Sequence, residues 1–128
     1  MADITPTEIT QDPEGNIKGW KWASVTEADV CLPVRFSDKD DMTLSVHGVL
    51  DGASWALRIS SHSDTVDTNG LLTAYFAGKD ANTGNAIALD TTNTASLVSE
   101  TGVYYQPVST LNTSGSTSLS VDLVLAGK

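Results

Sequence analysis

The chain is poor in cysteine, histidine, basic residues and long apolar runs, and each shortage excludes something. A single cysteine, Cys31, allows no intrachain disulfide. Its setting in "DVCLPVRF" reads as a small buried hydrophobe rather than a reactive thiol. The two histidines, His47 and His62, stand far apart in the sequence. With one cysteine they are poor material for a zinc site of three or four nitrogen and sulfur ligands. No run approaches the ~20 apolar residues of a membrane-spanning helix, so no membrane partner is expected. Seven Lys and Arg against sixteen Asp and Glu give a net charge of −9. The cations (Lys18, Lys21, Arg35, Lys39, Arg58, Lys79 and Lys128) are scattered, and a negative balance repels phosphate backbones, so no nucleic-acid partner is expected either. The stretch Met1–Pro6 has neither a basic segment nor an apolar one, which predicts a chain that is not exported by signal cleavage.

What remains is a 128-residue chain rich in serine and threonine. That length suits one domain with a core of its own. Turn residues recur at roughly ten-residue intervals, and the runs between them alternate apolar and polar, the pattern of an antiparallel β-sandwich or jelly-roll-like fold. We expect it over residues 17–128, behind a flexible, polar N-terminal arm, residues 1–16. Asp12-Pro13-Glu14-Gly15 is a turn signal. In "NIKGWKWAS", Lys18, Trp20 and Trp22 share one strand face. Pro33 cannot donate to a ladder, so its strand belongs at an edge or a bulge. "MTLSVHGVL" and "WALRISS" flank Asp51-Gly52 and read as a hairpin. Between His62 and Thr83, Leu71, Leu72, Tyr75 and Phe76 make a helical stripe, whereas Leu72, Ala74 and Phe76 make a strand face; the strand is preferred. "AIAL" and "ASLVSE" read as two short strands. The chain closes with Val103–Leu111, a loop at Asn112–Ser116, and a strand whose Leu119, Val121, Leu123 and Leu125 share a face; these read as a final hairpin.

No group of residues stands out for catalysis. "GASWA" around Ser54 lacks the second glycine and the strand–helix setting of a nucleophile elbow. Asp38–Asp41 reads as a solvated turn rather than a calcium loop, since the EF-hand glycine and glutamate are missing. Asn112-Thr113-Ser114 has the form of a glycosylation sequon by coincidence. No acidic pair is singled out for glycoside hydrolysis. The expectation is therefore a protein without enzymatic activity, metal or cofactor. Trp20, Trp22, Trp55, Tyr104 and Tyr105 read mainly as core and interface, with a sugar-stacking platform as the alternative. In the Tyr104-Tyr105 pair one ring must point outward, beside a neutral hydroxyl-rich face suited to another subunit.

The order of several elements carries a resemblance. Pro33-Val34, Asp41 with Thr43–Gly48, Gly84-Asn85 with Ile87, Tyr104–Pro107 and Gly115–Leu123 fall in the sequence of motifs found in small tailed-bacteriophage head proteins of the decoration, or cement, type. The chain resembles that family from about Trp20 to Lys128. Gln106 stands where the family commonly has arginine, and His62–Thr83 is longer than usual. The resemblance implies a non-enzymatic virion protein, assembled in the host cytoplasm, that binds the major capsid protein on the outer capsid surface. It also implies a homotrimer that bridges capsomers. On it we expect Trp20, Trp22, Tyr104, Tyr105, Gln106 and Pro107 at or near subunit or capsid contacts, and the N-terminal arm at the shell. The alternative is a carbohydrate-binding or fibre-tip module.

Overall fold

In the computed structural model the alternating runs become strands. The residues described are 3–10, 18–26, 29–36, 42–48, 54–90, 94–99, 102–111 and 121–127. Among them eleven strands follow in order: β1 (Asp3–Ile4), β2 (Thr7–Thr10), β3 (Lys18–Val25), β4 (Val30–Cys31), β5 (Val34–Arg35), β6 (Thr43–Gly48), β7 (Ser54–Ser60), β8 (Phe76–Ala77), β9 (Thr94–Leu97), β10 (Tyr104–Leu111) and β11 (Val121–Gly127). No described residue is helical. One sheet has the order β2-β3-β11-β6-β9 and the other β5-β10-β7-β8, while β1 and β4 form a separate parallel pair. Every neighbour within the two larger sheets is antiparallel.

The two sheets pack face to face over one core, as the alternation predicts. Leu44, Val46, Leu123, Leu125, Trp22 and Val25 come from the five-stranded sheet, and Val34, Trp55, Leu57, Ile59 and Tyr105 from the four-stranded one. Burying each such side chain contributes ~1.5–3 kcal/mol. In β3, Trp22 and Val25 are three apart, yet both reach the core. The register against β11 slips between Val121 and Leu123, and Ser24 takes a left-handed backbone (φ 56°). This bulge returns Val25 to the inner face. Asp122 braces it, accepting from the Ser24 N–H at 2.9 Å with Lys21 Nζ at 3.6 Å.

Several expectations are corrected here. The arms of the anticipated hairpin at Asp51-Gly52 do not pair with each other. β6 lies between β11 and β9, and β7 lies between β10 and β8. The final hairpin fails in the same way, because β10 belongs to the four-stranded sheet and β11 to the five-stranded one. Alternation fixes which face of a strand is apolar but not which strand lies beside it. A turn that carries the chain across the core satisfies the same pattern as one that folds it back.

Residues 3–10 form no free arm: β1 pairs with β4, and β2 pairs with β3 from Thr7↔Lys21 to Thr10↔Lys18. The stretch 62–83 is neither a helix nor a continuous strand. Its regular parts are the two-residue β8 and isolated bridges at Val66↔Leu72, Lys79↔Ala86 and Asp80↔Val98. "AIAL" is likewise reduced to bridges, Ala86 to Lys79 and Leu89 to Trp55, whereas "ASL" lies in β9. Pro33 precedes β5, the edge of its sheet, as expected. The turns at Asp12–Gly15 and Asp51-Gly52, the acidic run Asp38–Asp41 and the Asn112–Ser116 loop lie outside the described residues.

Candidate functional site

Pairing in the four-stranded sheet decides what its outer face carries. Trp55, Leu57 and Ile59 point into the core, so Ala56, Arg58 and Ser60 point out. On β10 the register Arg58↔Gln106 and Ala56↔Val108 places Gln106 and Val108 on the same outer face, and Tyr104↔Arg35 adds Tyr104 and Arg35. Tyr105↔Ile59 and Pro107↔Leu57 put Tyr105 and Pro107 on the inner side.

Residues 61–75 fold over part of this face. The fold-over begins at Ser60, whose hydroxyl accepts from the Ser63 N–H at 3.1 Å. A tight turn follows. Asp67 Oδ1 accepts from the Asn69 and Leu71 amides at 2.8 and 3.1 Å, and Gly70 takes a φ of +81°, a conformation that side chains other than asparagine and aspartate rarely adopt. The returning arm drives Leu72, fully buried, against the sheet. Two outward side chains hold it there. Arg58 Nη1 donates to the Leu72 carbonyl at 3.0 Å, and its guanidinium lies 4.0 Å from the centre of the Tyr75 ring, a cation–π contact. Gln106 Oε1 accepts from the Leu72 N–H at 2.9 Å, while its Nε2 donates to the carbonyls of Cys31 and Gly70, both at 2.7 Å. The amide is completely buried, and both its ends are satisfied.

Beside this covered area the face lies open. A groove of about 350 Å³ runs over Ala56, Ala77, Ala86, Ala88 and Val108, with Arg58 and Tyr75 at its rim. Along the fold-over and the adjoining β8, three large hydrophobic residues reach solvent: Tyr75 (46 % exposed), Val66 (41 %) and Phe76 (38 %). Small side chains make the groove: four of its lining residues are alanines. Asp90 follows Ala88 by two residues, and Asp64 and Asp67 ride on the fold-over, so the surroundings carry both signs of charge.

The six residues expected at contacts are not brought together on one surface. Trp22 is buried, and its Nε1 donates to the Leu32 carbonyl at 2.9 Å. Trp20 faces inward on the same strand and is half-buried against the core. Tyr105 is buried, edge-on to Phe36 at 6.5 Å, and its hydroxyl accepts from the Gly102 N–H at 2.8 Å and donates to the Gly102 carbonyl at 3.3 Å. Pro107 is buried, and Gln106 lies beneath the fold-over. Tyr104, half-buried, is the outward ring of its pair. Sequence reasoning missed Arg58, Val66 and the small groove residues. The signal of Ala77, Ala86 and Ala88 was present in "AYFAG" and in the alternating alanines of "AIAL", but only the pairing of Lys79 with Ala86 shows that these segments adjoin.

The titratable groups elsewhere serve the fold. Burial pushes the Cys31 thiol far up, with the Asp29 charge adding to the effect. Burial also raises Tyr105, in part offset by the Gly102 N–H. Asp80 is held below the usual carboxylate range, first by the Ser96 hydroxyl at 2.6 Å and then by the Asn82 amide. His62 contacts the Ser61 hydroxyl through Nδ1 at 3.2 Å in an exposed turn. Among the described residues no three His, Cys, Asp or Glu side chains group as a metal site. No protein-family model matches the chain, and neither a curated protein nor a solved structure does so.

Proposed function

We propose that the chain is a non-enzymatic attachment module: a virion protein that decorates the outer surface of a tailed-bacteriophage head by binding the major capsid protein. The carrying observation is the open apolar groove on the outer face of the four-stranded sheet, lined by Ala56, Ala77, Ala86, Ala88 and Val108 together with the exposed ring of Tyr75. Aromatic and aliphatic side chains around a small-residue depression are what protein contacts bury at their centre. The order of strands supports the same reading. Counting the eight strands from β3 to β11 without β4, one sheet runs first, eighth, third, sixth and the other second, seventh, fourth, fifth. That is the strand order of an eight-stranded jelly roll, an architecture common in viral shells. The motif resemblance supplies the capsid as the body to which the module binds. It also supplies the homotrimer, in which several weak contacts act together.

A sugar-stacking platform finds less support. Trp22 and Trp55 are buried, Trp20 faces the core, and Arg58 already lies against the Tyr75 ring. Co-sedimentation with decoration-free capsids of the source phage tests the proposal. The protein is expected to saturate at a fixed copy number per shell, and Tyr75→Ser with Ala88→Glu, both in the groove wall, to abolish binding while the far-ultraviolet spectrum stays unchanged. Binding that never saturates, or that survives both substitutions, refutes it.

A further inference from the structure

The two-residue strand β4 is gripped from both sides by elements outside the main sandwich. On one side β1 pairs with it, Asp3↔Val30 and Ile4↔Cys31, and the Leu32 N–H donates to the Ile4 carbonyl at 3.0 Å. On the other side lies the fold-over. Gly70 sits so close that a Cβ there would come within 3.0 Å of Val30 Cγ1. Gln106 joins the two directly, with one Nε2 shared between the Cys31 and Gly70 carbonyls and Oε1 on the Leu72 N–H. Neither β1 nor β4 belongs to either large sheet. Among the described residues the hydrogen bonds that tie these segments to the rest of the chain include the Gln106 amide, Arg58 on the Leu72 carbonyl, Trp22 on the Leu32 carbonyl and the reciprocal Thr26–Asp29 pair, while Cys31 and Ile4 pack on the core.

We propose that residues 3–4, 29–32 and 64–75 are one cooperative unit, latched by Gln106, that opens while the sandwich stays closed. Opening lifts Leu72 and the Asp67 turn from the outer face and uncovers the Arg58–Gln106 row. That row is continuous with the groove through Ala56 and Val108, so the unit is a lid over part of the face. Because β1 and the fold-over share β4, their openings are linked. A partner that captures β1 loosens the lid by the same free energy with which lid opening loosens β1. Local units of this kind open below the global unfolding free energy. The coupling does not depend on the attachment role.

Native-state hydrogen exchange on the full chain across sub-denaturing urea, with maleimide labelling of the one cysteine, tests it. The Leu72 and Thr73 amides and the Cys31 thiol are expected to share one opening with a small urea slope, at least about 100-fold more frequent than opening of the Leu57 and Leu125 amides. Ile4→Asp, which strikes β1 and its contact with the core but not the fold-over, is expected to raise the Leu72 and Cys31 rates together by about 10-fold or more beyond any rise in the core amides. Two results would overturn the proposal. One is Leu72 and Cys31 reacting in the wild type with the rate and urea slope of the core. The other is Ile4→Asp speeding Cys31 but leaving Leu72 unchanged.

Discussion

Replacing Gln106 by leucine is expected to destabilise the protein by about 3 kcal/mol, out of proportion to a neutral side chain of similar size. The change keeps most of the volume and removes three hydrogen bonds at once. It strands the Leu72 N–H and the Cys31 carbonyl, both buried, at roughly 1–2 kcal/mol each. The Gly70 carbonyl is only part-buried and can recover water, so its share is smaller. For a chain of this length the sum lowers Tm by about 10 °C. Urea unfolding followed by tryptophan fluorescence measures it, with an unchanged slope required for the comparison. A loss under about 1 kcal/mol would refute the reasoning, because the amide would then be a passive filler.

Gln106→Glu is the control for sign. The acid can donate one hydrogen bond only when protonated, and burial raises its folded pKa above the unfolded value. The variant should therefore be closest to wild type below about pH 4 and lose stability as pH rises through the raised pKa.

Three further outcomes follow from local geometry. Gly102→Ala places a Cβ 2.5 Å from Ile59 Cγ2 and 2.9 Å from the Ser60 carbonyl, and should cost about 2 kcal/mol in urea unfolding. Tyr105→Phe removes both hydroxyl contacts with Gly102 and should cost about 1 kcal/mol. In the wild type the raised Tyr105 pKa means that the stability it contributes is complete below the ordinary tyrosine value and is lost as pH climbs past it. Ultraviolet titration should accordingly find a tyrosine, absent in Tyr105→Phe, that ionises above the ordinary tyrosine range. Asp80, with its pKa depressed, contributes stability present above the normal carboxylate range and lost as pH falls through the folded value. Asp80→Asn should flatten that acid limb, as read by thermal melts between about pH 2 and 5.

The inner faces were legible because alternation is a local property. Leu44 with Val46, Trp55 with Leu57 and Ile59, and Leu123 with Leu125 all point where their spacing says. Neighbours were not legible. Asp51-Gly52 carries a hairpin's turn chemistry, yet the strands around it part to opposite sheets, since pairing is decided by the whole set of faces competing for cover. The segment 62–83 defeated periodicity because its shape rests on Asp67 and Asp80 capping their own turns, and on Leu72 alone as an anchor. Gln106 was singled out as a departure from an expected arginine. That it holds β4 and the fold-over together depends on residues 36 and 75 positions away, which no local pattern encodes.

The strand order also governs how the molecule can be made. β11 fills the gap between β3 and β6, so that Trp20 meets Leu125 and Leu44 meets the same residue from the other side. Until β11 has been made the larger sheet exists only as two fragments, β2 with β3 and β6 with β9, each with a raw edge and an oily surface. Such nonlocal closure makes folding slow and the nascent chain adhesive. A chain cut before Val121 should therefore yield not a shortened domain but insoluble protein.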